Sequence, residues 1–308
     1  MRILLAGGAG DVGSNLTVYL GRQGHTVVIL DKKAAPFAQA KDNVTTCTAD
    51  LMDPALLKDI VGGTDVVVNL AWSFSDEPKV LFNSDLLGQA NLLNACAAAG
   101  VKRFIYTSTA GVYGTPPAGP VDETYTCRPE RARKPLYAIA KLCAEQLALA
   151  LGRQQNLPVT VLRFWWAFGH TIGGKHLREL VKLALTGQPL PMVAGAGGAF
   201  VSMNDLGAAI ELAATSQEAI GNTYNIGSLF LSWKEIGQTI IELTQSASPL
   251  QLVAATDWHG PAFLNETWHL SWDKAAEDMG YQPLLTPTDT YAAFRSALAN
   301  CIAGIQVK

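Results

Sequence analysis

Tyr137 and Lys141 stand four residues apart in Tyr137-Ala138-Ile139-Ala140-Lys141. That spacing sets a phenol and an ammonium on one helical face. A phenol with a pKa near 10 is a poor base at neutral pH. A neighbouring cation favours the phenolate and brings it into the range of a general acid–base catalyst. The pair on its own is a common pattern. Here it lies one strand–loop unit beyond Thr107-Ser108-Thr109-Ala110-Gly111-Val112-Tyr113-Gly114, which places hydroxyls at the carboxyl end of a strand. Open α/β sheets bind ligands at that edge. The chemistry to expect is proton transfer at a bound oxygen.

A partner for such chemistry is written at the N-terminus. Gly7-Gly8-Ala9-Gly10-Asp11-Val12-Gly13 follows an apolar run and opens a helical pattern, fitting both GxGxxG and GxxGxxG. Glycine there allows a tight turn, close approach to a pyrophosphate and packing of helix on sheet. The helix N-terminus adds amide donors and partial positive charge. Asp31 ends the second strand, 18 residues past Gly13. A carboxylate at that point accepts from the adenosine ribose hydroxyls and repels a 2′-phosphate, so NAD is expected over NADP. Lys32 and Lys33 pull the other way. Asp50-Leu51 after a third strand would contact the adenine, and Leu70-Ala71 after a fourth would lie beside the cofactor.

The elements that must position these residues alternate strictly. Arg2–Ala6, Thr26–Leu30, Asp65–Leu70, Arg103–Thr107 and Val159–Phe164 read as buried strands; Val12–Gln23, Pro54–Ile60, Asp85–Ala99 and Leu136–Arg153 read as helices. Asp53-Pro54 is an N-cap followed by proline at the first helical position, and Gly100 closes a helix. Such alternation predicts an α/β fold, a Rossmann-type doubly wound parallel sheet with right-handed crossovers. After about Gly169 the rhythm loosens. Gly195-Ala196-Gly197-Gly198 precedes an apolar run, then come a helix at Leu206–Ala214, a strand at Thr223–Ile226 and helices at Lys234–Thr244 and Thr288–Ile302. The expected division is a dinucleotide-binding domain over residues 1–169, with 201–227 returning to it. Residues 170–200 and 228–308 make a smaller, less regular substrate lobe.

Composition excludes several classes. The 308 residues are 49% apolar, enough for a large core, and carry 23 Lys+Arg against 26 Asp+Glu, a net charge of −3. Nothing there suits the phosphates of a nucleic acid. No segment nears the ~18 uninterrupted apolar residues of a membrane span. Cys47, Cys96, Cys127, Cys143 and Cys301 show no CxxC spacing, so free buried thiols in a reducing, cytoplasmic setting are expected, with no metal. His170 and His259 read as surface or structural histidines.

The set of motifs resembles the extended short-chain dehydrogenase/reductase family, of the NAD-dependent epimerase/dehydratase type. The resemblance takes in the glycine fingerprint, Asp31, Thr107-Ser108-Thr109, Val112-Tyr113-Gly114, Tyr137/Lys141, Leu162-Arg163-Phe164, Phe200–Asp205 and Tyr224-Asn225-Ile226-Gly227. It implies that Thr109 hydrogen-bonds the reacting oxygen, that Tyr137 is the acid/base, and that Lys141 holds the nicotinamide ribose and lowers the tyrosine pKa. The cofactor NAD would then meet Gly7, Gly10, Asp11, Val12, Gly13, Asp31, Asp50, Leu51, Leu70, Ala71 and Phe164 besides Tyr137 and Lys141. It also implies a homodimer paired through the Asp85–Ala99 and Leu136–Arg153 helices.

Departures from the family narrow the substrate. Sugar dehydratases carry an Asp-Glu pair after the hydroxyl residue; here Ala110-Gly111 follow Thr109. Nucleotide-sugar epimerases carry an asparagine after the sixth strand and arginines for the pyrophosphate; here Trp165-Trp166 stand there, and Glu179 to Phe294 contain no arginine. Asp85 replaces the family's asparagine. Trp72, Trp165 and Trp166 would wall the substrate site, while Trp258, Trp268 and Trp272 read as core. The expected activity is hydride transfer between NAD and a carbinol or ketone carbon of a small polyhydroxy or cyclic substrate without a nucleotide handle. The alternatives are an NAD-dependent epimerase of a sugar or nucleotide-sugar and a non-catalytic dinucleotide sensor. From Asp31, NAD should bind at least roughly tenfold more tightly than NADP. Titration with both cofactors checks this, and Asp31→Ala should narrow the gap.

Overall fold

Strand β1 (Arg2–Ala6) is buried on both faces from Ile3 onward, and a strand with no wet face belongs inside a helix-covered parallel sheet. A computed structural model describes residues 1–35 and 42–306. After β1 come α1 (Asp11–Arg22), β2 (Thr26–Asp31), β3 (Val44–Thr48), α2 (Pro54–Ile60) and β4 (Val66–Asn69). A single turn α3 (Pro78–Val80), π-wound residues Leu81–Leu87 and α4 (Gly88–Ala98) follow, then β5 (Arg103–Thr109), α5 (Pro135–Gln155) and β6 (Val159–Phe164). The sheet runs β3-β2-β1-β4-β5-β6, every pair parallel. β3 is an edge strand with Thr45 and Thr46 exposed, which is why no apolar run marks it.

The chain then builds a second body. In order it runs β7 (Trp166–Phe168), α6 (Lys175–Leu185), β8 (Leu190–Val193), β9 (Gly197–Ser202), α7 (Met203–Thr215) and β10 (Thr223–Asn225). It ends with β11 (Leu229–Ser232), α8 (Trp233–Thr244), β12 (Leu250–Val253), β13 (Thr267–Trp268), α9 (Asp273–Met279) and α10 (Pro287–Gln306). β10 returns to the large sheet as its seventh strand, against β6. β9 pairs with β11 on one side and with β7 and β13 on the other, while β8 pairs with β12. Their core joins Leu177, Leu180, Val181, Trp233, Ile236 and Phe294. This part is more regular than its sequence suggests.

The helix expected at Asp85–Ala99 differs. It starts at Pro78 and is π-wound through Leu81–Leu87. The wider turn directs Asp85 inward, where its carboxylate accepts from Ser73 N at 2.9 Å and Ser73 Oγ at 2.6 Å.

One buried ion pair ties the strands behind the sheet's carboxyl edge. Arg163 Nε donates to Glu145 Oε1 at 2.9 Å and a terminal nitrogen reaches Oε2 at 2.5 Å, with both side chains almost wholly buried. Ser108 Oγ donates to the same carboxylate, and the guanidinium lies 4.8 Å from the Tyr113 ring. Tyr113 in turn donates to Asn225 Oδ1 at 2.8 Å. Breaking one partner of such a pair leaves an uncompensated buried charge, so Arg163→Met should cost about 3–5 kcal/mol in urea unfolding. Adding Glu145→Met should restore most of it; a double variant as unstable as the single would show that the pair is not the cause.

Candidate active site

The glycine loop is shaped by close approach. Gly7 has φ +81°, and a Cβ on it would sit 2.6 Å from Ala71 N, so only glycine lets the loop press against the chain leaving β4. A Cβ on Gly13 would lie 2.5 Å from Gly8 Cα, which fixes α1 against the loop. Gly10 caps α1, and Asp11 and Val12 form its first turn. Asp31 Oδ2 accepts from Ala9 N and Oδ1 from Lys33 N, both at 3.0 Å, so its carboxylate is locked to the loop.

A groove of about 340 Å³ runs along this edge, lined by Gly7, Asp31, Lys32, Lys33, Asp50, Leu51, Leu70, Ala71, Trp72 and Asp85 among others. Asn69 fixes its middle by accepting from Ala71 N at 3.1 Å. Buried Trp72 Nε1 has no partner among the described residues. A glycine cradle, a carboxylate at the end of β2 and an unpaired donor fit the dinucleotide expected from the sequence. Phe164 ends β6 beside Thr109, in register with it, and packs on the core.

Lys141 is buried against this groove. Its Nζ donates to Thr107 O at 3.0 Å and lies 4.1 Å from the Trp72 ring and 4.8 Å from the Tyr106 ring. Burial lowers its pKa to about 7, against the pull of Asp85 and Glu145. Tyr137, one turn earlier, is pushed up to about 12, chiefly by burial; the Thr109 hydroxyl lowers it and Asp85 raises it further. The expectation that Lys141 holds the phenol below its ordinary value is therefore corrected. Desolvation weakens the cation and the phenolate alike. Phe74, with φ +56° and an exposed side chain, stacks on Tyr137 at 5.9 Å, and Trp72 meets it edge-on at 6.0 Å.

Beside Tyr137 opens a second cavity of about 270 Å³. Thr109 and Tyr137 form one wall; Trp165, Phe263 and Trp268 form an aromatic one; Arg133, Lys134 and Glu266 supply charge. The three tryptophans expected at the substrate part company here. Trp165 lines the cavity, Trp72 lines the groove, and Trp166 packs into the core against Phe200 and Gly174. Trp268, read as core, reaches the cavity. Arg133, Phe263 and Glu266 carry no motif, and only the tertiary structure brings them together. Trp272 packs on Gly227, and Trp258 donates to Pro261 O at 2.9 Å. Among the described residues no group of His, Cys, Asp and Glu could hold a metal, and His170 and His259 are exposed. Cys143, expected buried, is exposed too.

Comparison with known proteins gives a consistent result. Residues 3–227 match the model of the NAD dependent epimerase/dehydratase family. Over 267 residues the chain is 31% identical to UDP-N-acetyl-alpha-D-glucosaminuronate decarboxylase of Bacillus cytotoxicus, covering 81% of this chain and 82% of that one. An epimerase of Methanothermobacter thermautotrophicus superposes with TM-score 0.79 at 25% identity, over 100% of this chain and 94% of its own. UDP-glucuronic acid 4-epimerase of Bacillus cereus, solved with NAD, shares the fold with TM-score 0.78 at 22% identity and 99% coverage of both chains.

The displaced Lys141 pKa makes stability depend on pH. Between about 7 and the ordinary 10.5 the folded chain binds fewer protons than the unfolded one, so stability rises with pH across that window. Lys141→Met should stabilise the cofactor-free protein below pH 7 by about 1–4 kcal/mol and abolish tight NAD binding. Its advantage should shrink as pH rises towards 10. Melting temperatures across that range provide the check, and a constant difference would mean that the ammonium is not desolvated.

Proposed function

The chain belongs to the NAD-dependent epimerase/dehydratase family, and from that premise we propose that it is a sugar epimerase, oxidising one carbinol carbon and re-reducing the ketone. It is an enzyme of the extended short-chain dehydrogenase/reductase type with NAD as cofactor. The observation that carries the proposal is the cavity wall. Thr109 and Tyr137 stand together there, while buried Ala110 and partly buried Gly111 put no carboxylate beside them. Hydride chemistry keeps its proton donor and acceptor, and water elimination lacks the pair it needs. Relatives named as epimerases point the same way.

In the mechanism, the residues lining the groove would hold NAD, which would supply the acceptor and donor of the hydride. Thr109 Oγ positions the substrate oxygen, and Tyr137 exchanges the proton with that oxygen. Protonated at neutral pH, the Tyr137 phenol is ready to act as the acid for ketone reduction, and the Thr109 hydroxyl helps to draw it down for the reverse step. Lys141, fixed by Thr107 O, would hold the cofactor ribose. Gly7, Gly10, Asp11, Val12, Gly13, Asp31, Asp50, Leu51, Leu70, Ala71 and Phe164 would contact the rest of NAD, with Thr109 and Trp165 on the substrate. We assign residues 1–169 and 201–227 to the dinucleotide and 170–200 and 228–308 to the substrate. Exposed Phe82, Leu87, Leu136 and Ile139 on the helical faces support pairing as a homodimer, and unpaired thiols suit a reducing cytoplasm.

A second reading, net dehydrogenation of a substrate without a nucleotide, rests on a separate observation. A Cβ on Gly198 would meet Trp165 at 2.2 Å, so the indole lies directly on the backbone of β9. Aromatic rings thus take space in a lobe that has no arginine between Glu179 and Phe294. Incubation with NAD and a panel of sugars, followed by NMR for inverted carbinols and by absorbance for NADH, separates the two. Inversion without net NADH is expected. Stoichiometric NADH would install the dehydrogenase, and cofactor binding with neither product would leave a sensor. Tyr137→Phe should lower turnover about 10²–10⁴-fold with NAD affinity retained.

A further inference from the structure

We propose that Arg133 anchors a carboxylate of the substrate, so that the molecule turned over is a polyhydroxylated monocarboxylic acid. The inference deepens the epimerase proposal and rests on the same cavity.

Arg133 comes from the loop just before α5 and lines the cavity that Thr109 and Tyr137 close. Its guanidinium lies over the Phe263 ring at 4.8 Å, a cation–π contact that holds it at the cavity wall. Among the described residues its acidic neighbour is Glu266, with Nε 3.6 Å from Oε1, beyond hydrogen-bond length. A guanidinium has five donors, and this one is two-thirds buried with no side-chain hydrogen bond to a described residue. Glu266 is committed elsewhere, because its Oε2 accepts from Trp268 Nε1 at 3.0 Å. The fork, with 35% of its side-chain surface still accessible, therefore has a loose partner and an open cavity before it. A carboxylate entering there gains two parallel charge-assisted hydrogen bonds that Glu266 does not make.

Charge and size select among anions. Arg133 and Lys134 line the cavity with Glu266, and Lys134 Nζ lies 3.7 Å from Asp76 Oδ2. A single carboxylate adds one negative charge there, whereas a diphosphate would add more beside Glu266, whose own pKa burial already raises. At about 270 Å³ the space lies just under the ~300–1,000 Å³ of sites for drug-sized ligands, which suits one sugar-sized ring. Trp165 and Trp268 give that ring apolar faces, and Glu266 can accept from its hydroxyls.

The test is calorimetric titration of the NAD-loaded protein with D-glucuronate and D-galacturonate against D-glucose and D-galactose. The acids should bind at least tenfold more tightly than the neutral sugars. Arg133→Gln should erase that preference, Arg133→Lys should restore part of it, and Glu266→Gln should strengthen acid binding. NAD affinity, set in the other groove, verifies that each variant is folded. Equal or weaker binding of the acids, binding of none of the four, or a preference that survives in Arg133→Gln overturns the proposal. Turnover is read separately by NMR. Acids that bind but are never oxidised or inverted sink the epimerase proposal and spare the anchor; neutral sugars inverted with no acid preference do the reverse.

Discussion

The burial of one ammonium organises this molecule. Lys141 is taken out of water, and a bare cation in a protein interior is costly enough to lose its proton. It stays within reach of the charged state because a carbonyl of β5, two aromatic faces and the carboxylates Asp85 and Glu145 surround it. Thr107 and Tyr106 belong to β5, Trp72 follows β4, Asp85 lies in the π-wound turns and Glu145 on α5. Thr107 must sit at the strand's carboxyl end, Trp72 must fold back from β4, and Asp85 must turn inward on a π-wound helix. Glu145 must in turn be neutralised by Arg163. The site is therefore a structural commitment, and its residues trade stability for function.

That arrangement also explains why the phenol of Tyr137 is not a ready base. Desolvation acts on both members of the pair, raising one pKa and lowering the other. Phe74 and Trp72 deepen the effect by covering the phenol. The same dry environment would strengthen any hydrogen bonds that Thr109 and Tyr137 make to an oxygen bound beside them.

Two neighbouring spaces divide the chemistry. The groove along the carboxyl edge of the sheet is shaped by backbone, through Gly7 and the chain after β4, and carries the acidic residues Asp31, Asp50 and Asp85. The cavity beside Tyr137 is shaped by side chains, through Trp165, Phe263 and Trp268. The first fits a ligand recognised by its backbone contacts. The second fits a ring held between aromatic faces, with Arg133 and Glu266 at its polar corner.

Local pattern sufficed wherever the signal was local. β1, β6 and α2 match the segments read from apolar runs and the Asp53-Pro54 cap, and the family was legible in the glycine loop, Asp31 and the Tyr137/Lys141 spacing. Leu177, Leu180, Val181 and Ala184 carry a helical period that would have found α6. No such period marks β13, which has two residues, or β3, whose threonines face water. Thr109, Tyr137 and Trp165 of the second cavity were legible in the sequence, but its polar corner was not. Arg133 and Glu266 are 133 positions apart in the chain, and meet because β13 pairs with β9 while α5 packs on the large sheet. Trp268 is core as read yet also borders the cavity, while Trp166 packs on Phe200 away from it, since alternate residues of a strand face opposite ways and only the pairing partner decides which side is core. The sequence by itself determined the chemistry and its cofactor, because those need residues at fixed short spacings. Only the tertiary structure decided the pKa values and the shape of the substrate site, because burial and long-range pairing are properties of the folded chain.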